Sequence, residues 1–282
     1  MVKWRHTAMF FTEKNKLVID FHTHTFPDSI VEKAMAKLSA AADIEPYRNG
    51  TVDSLAESMN AGGVDMSVVL PVATSAKQVD GINRLSAELN GKRGMIFSGA
   101  IHPDCENVDE ILDGIKAAGL FGIKLHPDYQ GVYFDDPRYV NIIRKAAERD
   151  LITVTHAGID LAFPDDIHCT PDRVLNVLGE LGGVADGKLV LAHMGGVTFL
   201  DEVAEKLVGK PVYLDTAFVL DIYPEKCIEL IRRHGADKVL FATDSPWKGQ
   251  REFVDLFRSL PLSEKERELI FSENARRLLD LK

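Results

Sequence analysis

The chain has 282 residues, 45% of them hydrophobic and 27% charged, a globular balance at a length that a complete α/β barrel can occupy. Its 33 Lys and Arg against 43 Asp and Glu leave a formal charge of -10, which opposes attraction to phosphate backbones and anionic membranes and so excludes both as expected partners. Cys105, Cys169 and Cys227 show no CxxC spacing, there is no apolar run of bilayer length, and residues 1–16 lack a signal-peptide layout, so the expected setting is a reduced cytoplasm.

Residues 1–16 precede the first regular run and are read as an ordered N-terminal extension, a frayed end or a translation-start artefact, with Met9 as the other start. Short β-rich runs then recur at 17–22, 64–70, 95–101, 121–126, 151–156, 188–193, 211–215 and 238–244, eight in all, the barrel number. Helical segments with start signals lie between them: Ser75 with Gln78, Asp136 before Pro137, and Thr170 before Pro171. Ser263 with Glu266 opens a last helix carrying Leu269, Ile270, Leu278 and Leu279, expected to pack on the barrel's outside or to close one end. No linker, sequence repeat or low-complexity tract divides the chain, so residues 1–282 are read as one parallel (β/α)₈ domain with a C-terminal helix. Two long loops, 27–50 and 159–170, are expected to shape whatever pocket forms.

Side chains on a strand alternate faces, and that alternation aims the polar residues. Leu17, Ile19 and Phe21 are predicted to face helices, with Val18, Asp20, His22 and His24 on the opposite face. Lys124 and His126 fall opposite Ile123 and Leu125, while His193 follows Leu189 and Leu191, and Asp244 follows Leu240 and Ala242. Polar groups therefore end several strands at the C-terminal mouth, where barrels gather their chemistry.

His22 and His24, two apart on one strand, can direct imidazoles at a common ion, although an HxH pair alone is a weak signal. With His156 and Asp244 the set becomes three neutral imidazoles and one carboxylate, which leaves a coordination position for water. Such donors favour a single divalent ion, Zn²⁺ first, with Mn²⁺, Fe²⁺ and Co²⁺ as alternatives.

The segments IDFHTH, GIKLHPDYQG, VTHAG, LAHMGG and ATDSPW, in this order, resemble the amidohydrolase superfamily, specifically its amidohydrolase-related branch, over residues 18–279. That branch holds hydrolases and metal-dependent, non-oxidative decarboxylases similar to aminocarboxymuconate semialdehyde decarboxylase. The resemblance implies a distorted TIM barrel in which His22, His24, His156 and Asp244 ligate one divalent metal, usually zinc, with His193 acting beside it. Binuclear members of the superfamily use a carboxylated lysine near the place of Lys124. Here Lys124 stands two residues before His126 in a KLHP segment that looks like the mononuclear branch, so it is read as an uncarboxylated ammonium. It either holds a substrate carboxylate or moderates the charge around Asp244, or else pairs with Asp20 as structure.

Weaker readings attach to other residues. His126 is expected to support the site by hydrogen bonding, Gln130 to bond substrate, and Phe26 and Trp247 to wall the pocket; His102 is read as terminating its strand. The expected chemistry is hydrolysis of an amide, ester or lactone of a small molecule, with Asp244 moving the proton of a metal-activated water and His193 polarising the carbonyl. Decarboxylation is the rival reading. A metal-dependent binding protein is the third, disfavoured because binding alone needs no water position with a base beside it. Oligomeric state is not legible in the sequence.

Overall fold

The computed structural model describes residues 17–281, so the expected extension at 1–16 lies outside the described residues. Nine short strands alternate with helices: β1 Ile19–Thr23, β2 Met66–Val69, β3 Met95–Phe97, β4 Gly99–Ala100, β5 Gly122–Leu125, β6 Ile152–Thr155, β7 Leu189–Leu191, β8 Tyr213–Asp215 and β9 Val239–Leu240. All pair in parallel, in the orders β1-β2-β3 and β4-β5-β6-β7-β8-β9. β3 and β4 are halves of the run expected at 95–101, interrupted at Ser98, whose N–H still donates to the Val69 carbonyl at 3.0 Å. At the other seam the Phe21 N–H donates to the Phe241 carbonyl and the Asp244 N–H to the His22 carbonyl, each at 2.9 Å. The eight expected runs thus follow one another around a distorted barrel.

The helices are α1 Val31–Ala42, α2 Val52–Gly62, α3 Val79–Leu89, α4 Val108–Ala117, α5 Pro127–Gln130, α6 Pro137–Glu148, α7 Pro171–Leu181, α8 Leu200–Lys206, α9 Pro224–His234, α10 Gln250–Ser259, α11 Glu264–Glu268 and α12 Asn274–Leu278. Asp136 caps α6 and Thr170 caps α7 with their side chains, each with Pro at the first turn, and Ser263 and Glu266 form the reciprocal capping box of α11. Caps of this kind are worth about 1 kcal/mol each. Ser75 differs from expectation: its side chain makes no cap bond, and Gln78 instead reaches back to the N–H and hydroxyl of Thr74. The segment 27–50, expected to be loop, contains α1.

Two apolar layers hold the barrel. Strand residues such as Ile19, Phe21, Val68, Val154, Val190 and Leu240 fill its inside, whereas Val18, Val69, Ile123, Leu125, Leu189 and Leu191 pack with helix residues outside. This reverses the expected facing of β1. Ile19 and Phe21 point inward, and Asp20 points outward, where it accepts from the Thr243 hydroxyl at 2.6 Å and from Gln250 Nε2 on α10 at 2.7 Å. Period-two alternation fails here because the register of β1 shifts between Asp20 and Thr23, which lets Phe21 fill the interior while His22 still reaches the mouth.

The C-terminal helix is likewise not one piece. Between α11 and α12 a π-helical turn, Leu269–Glu273, frees the Ile270 carbonyl to accept from the Phe241 N–H at 2.9 Å, since the Asn274 N–H goes to Leu269. Ala275, Leu278, Leu279 and Leu281 then close the barrel's floor against the interior cluster containing Leu17, Met66 and Phe121. Among the described residues no helix is long and apolar enough to cross a membrane.

Candidate metal centre

The end of β1 and the turn after β9 bring His22, His24 and Asp244 to one point. His22 Nδ1 lies 2.9 Å from Asp215 Oδ2, and His24 Nδ1 lies 2.9 Å from the Leu70 carbonyl, so each ring donates through Nδ1 and presents Nε2 as a lone pair. Those two Nε2 atoms are 3.1 Å apart. Asp244 Oδ1 sits 3.2 Å from His24 Nε2 and 3.5 Å from His22 Nε2. Burial first, then the nearby Lys124 charge, hold the His22 pKa well below its ordinary value, so its lone pair is present at neutral pH. Two imidazole lone pairs and a carboxylate within 4.8 Å of one another repel unless a cation stands between them, and these donors fit a divalent transition metal.

The structure does not bring His156 into that group. Its Nδ1 lies 3.1 Å from His193 Nε2, and its buried Nε2 has no hydrogen-bond partner. His156 groups instead with His126 and Asp160.

His193 lines the cavity beside these residues. Its backbone N–H donates to Asp215 Oδ1 at 2.8 Å and its Nδ1 to the Ala217 carbonyl at 3.0 Å, while its Nε2 faces His156 Nδ1 at 3.1 Å. Leu189 and Leu191 do not share its face. They point outward, and His193 reaches the mouth because the chain turns there, with His193 at φ 57° and Met194 at φ 54°. Asp244, at φ 73°, is also left-handed. For L residues each such backbone costs about 1 kcal/mol or more, a cost tolerated where a side chain must be aimed.

Lys124 is fully buried, its Nζ 3.2 Å from His22 Nε2. Desolvation lowers its pKa to about 8, resisted by the charges of Asp215 and Asp244. The alternative pairing with Asp20 is absent, since that carboxylate lies on the outer face against α10. Asp215 is a residue that the sequence reading missed. It ends β8 on the face of Tyr213, as His and Asp end other strands, and that parity was the available signal. Asp160, also missed, lies in an irregular loop where no local pattern marks it. The Gly158 backbone fixes that loop: at φ +85° it runs so close to Val197 that an added Cβ would sit 2.2 Å from the Val197 nitrogen.

Gln130 is a second departure. It is buried and its amide is spent on the protein: Nε2 donates to the Ala73 and Ile101 carbonyls, and Oε1 accepts from the His126 N–H and the Tyr139 hydroxyl. It pins the start of α5 and has nothing free for substrate. Phe26 and Trp247 line the cavity over the centre, and so does His126, whose buried Nδ1 has no hydrogen-bond partner, whereas His102 does not line it. That cavity holds about 560 Å³, ample for a small organic molecule, and its walls are largely apolar, with Ile30, Leu38, Ile44 and Leu161 among them.

A family model described as Amidohydrolase matches residues 19–281. No curated protein matches the sequence. Among solved structures, an uncharacterized TIM-barrel protein from Bordetella bronchiseptica superposes with a TM-score of 0.73 at 18% identity, covering 93% of this chain and 98% of its own. The 5-carboxyvanillate decarboxylase from Sphingomonas paucimobilis gives 0.69 at 16% identity, covering 95% and 100%. A dihydroxybenzoic acid decarboxylase from Polaromonas sp. JS666, solved with bound manganese and 2-nitroresorcinol, gives 0.68 at 16% identity, covering 95% and 98%.

Proposed function

This chain belongs to the amidohydrolase family, and from that membership we propose that it is a metal-dependent hydrolase acting on an amide, ester or lactone of a small, carboxylate-bearing molecule. One observation carries the reading. At the closed end of a largely apolar cavity, the Lys124 ammonium and the Asp244 carboxylate approach the same ring nitrogen, His22 Nε2, at 3.2 and 3.5 Å. A group that stabilises negative charge and a group that accepts a proton therefore stand within one substrate's reach.

His22, His24 and Asp244 would hold the ion, with Zn²⁺ or Mn²⁺ suiting the donors, and His156 is the fourth candidate ligand. When bound, that ion supplies an activated water and a Lewis acid for the acyl oxygen. Asp244 takes the proton of the attacking water and returns it to the leaving group. Lys124, itself buried, stabilises negative charge developing on the acyl oxygen beside His193. Asp215 fixes the His22 ring through Nδ1 and the His193 backbone through its N–H. Phe26 and Trp247 contribute apolar wall to the substrate's body.

Decarboxylation is the second reading, supported by decarboxylases among the solved structures of the same fold, two of them described above. Reaction in ¹⁸O-labelled water tests the choice. Hydrolysis should place label in a product carboxylate, whereas stoichiometric CO₂, with deuterium from D₂O on the carbon that bore the carboxylate and no solvent oxygen in the organic product, would replace it with decarboxylation.

A further inference from the structure

A set of apolar side chains lines the cavity without serving the fold. Phe26, Ile30, Leu38, Ile44, Leu161 and Trp247 face its space, and none of them belongs to the clusters that fill the barrel or seat the helices among the described residues. Ile30 stays 52% exposed and Leu161 40%. Apolar surface gathered in one concavity and left in water marks a place where a ligand is bound.

Much of that surface comes from α1. Ile30, Ala34, Leu38 and Ala42 recur at every fourth position and all line the cavity, so they form one strip along the helix. The strip does not anchor α1, whose buried residue is Met35. Met35 is pegged against Gly50, where the left-handed backbone at φ +79° passes so close that an added Cβ would sit 2.8 Å from Met35 Sδ. Charge is distributed along the same cavity. Lys124 is buried at its closed end, and the other two lysines that line it, Lys37 on α1 and Lys77 before α3, are exposed and so stand at its rim. Among the described residues neither Lys37 nor Lys77 is ion-paired.

From this geometry we propose that α1 is the specificity helix of the site. The substrate carries an extended apolar body that lies along Ile30, Ala34, Leu38 and Ala42 and ends in a carboxylate at Lys37 and Lys77. The inference rests on the hydrolytic reading only for the bond that breaks at the inner end. Contacts along α1 are remote from that bond, and their binding energy holds it in place over the ion's ligands. The two rim lysines supply the anion's partners, which Lys124, turned toward His22 at the closed end, does not.

The test is binding, which needs no reaction and so fails or succeeds independently of whether the site hydrolyses or decarboxylates. Zinc-loaded protein is titrated calorimetrically with the sodium salts of straight-chain monocarboxylates and α,ω-dicarboxylates. Each CH₂ added beyond acetate, up to about ten carbons, should tighten Kd by about 3-fold until the chain reaches the rim. The heat-capacity change of binding should become more negative along the series. At the length that reaches the rim, the dicarboxylate should bind about 3-fold tighter than the monocarboxylate, an advantage that fades with added salt. Leu38→Gln should weaken the longest chain by about 5- to 10-fold and leave acetate unchanged. Lys37→Gln combined with Lys77→Gln should erase the dicarboxylate's advantage and leave the length trend intact. Circular dichroism checks the fold of each variant, and Ile30→Gln replaces Leu38→Gln if the latter does not fold. A Kd indifferent to chain length, or a length trend that the α1 variant leaves intact, would overturn the assignment of α1. Monocarboxylates that bind as tightly as dicarboxylates at every length would overturn the anionic terminus.

Discussion

Asp244→Asn is expected to lower kcat by about 10³-fold, within the range for loss of a positioned acid or base. The substitution keeps shape and tolerates the left-handed backbone at φ 73°, because Asn is among the residues enriched there. It also keeps the backbone N–H that donates to the His22 carbonyl at 2.9 Å and so preserves the barrel seam. What disappears is the charge that faces His22 and His24 and the oxygen that accepts a proton. Thermal unfolding should therefore change little while turnover collapses, and undiminished turnover would remove Asp244 from the chemistry.

Lys124→Met should lower kcat by about 10²-fold, the effect of removing one preorganised group that stabilises developing charge. Its second signature separates catalysis from structure. Lys124 is wholly buried, so an apolar side chain of similar length relieves the desolvation that lowers its pKa to about 8. The variant should unfold at the same temperature or a higher one. It should also keep its metal, because the Nζ that donates to His22 Nε2 competes with an ion for that lone pair. Retained turnover would leave Lys124 without a part in the reaction; a large fall in melting temperature would make it structural.

How far the sequence foretold this site depends on which local rule held. On β5 and β9 the period-two rule worked, since Ile123, Leu125 and Val239 face helices, with Lys124 and Leu240 inside. On β1 a register shift, and after β7 a left-handed turn at His193, moved side chains off the expected face, and neither event has a composition signal. The mouth residues still arrived, because both irregularities occur at strand ends, where barrels re-aim side chains. Gln130 was legible as a member of the site's neighbourhood but not in its part, which depends on partners far along the chain, Ala73 and Ile101. Asp215 could have been found by the same strand-end reasoning that found Asp244, whereas Asp160 is positioned by a close backbone contact between Gly158 and Val197 that no single-residue pattern encodes. The eight runs and most helix starts were visible because hydrophobic patterning and capping are local, and the breaks in β3–β4 and in the last helix were not, because they answer to packing against other elements.

The measurement that bears most directly on the account is the metal content of the His22→Ala, His24→Ala double variant beside the unsubstituted protein, both purified without added chelator and checked for fold by circular dichroism. The two Nε2 atoms stand 3.1 Å apart with Asp244 beside them, and removing both leaves the Asp244 carboxylate with at most the His156 imidazole, too poor a donor set to keep a transition ion. The variant should therefore lose about one full equivalent relative to the unsubstituted protein. An unchanged content in a folded variant would place the ion elsewhere and contradict the centre described here.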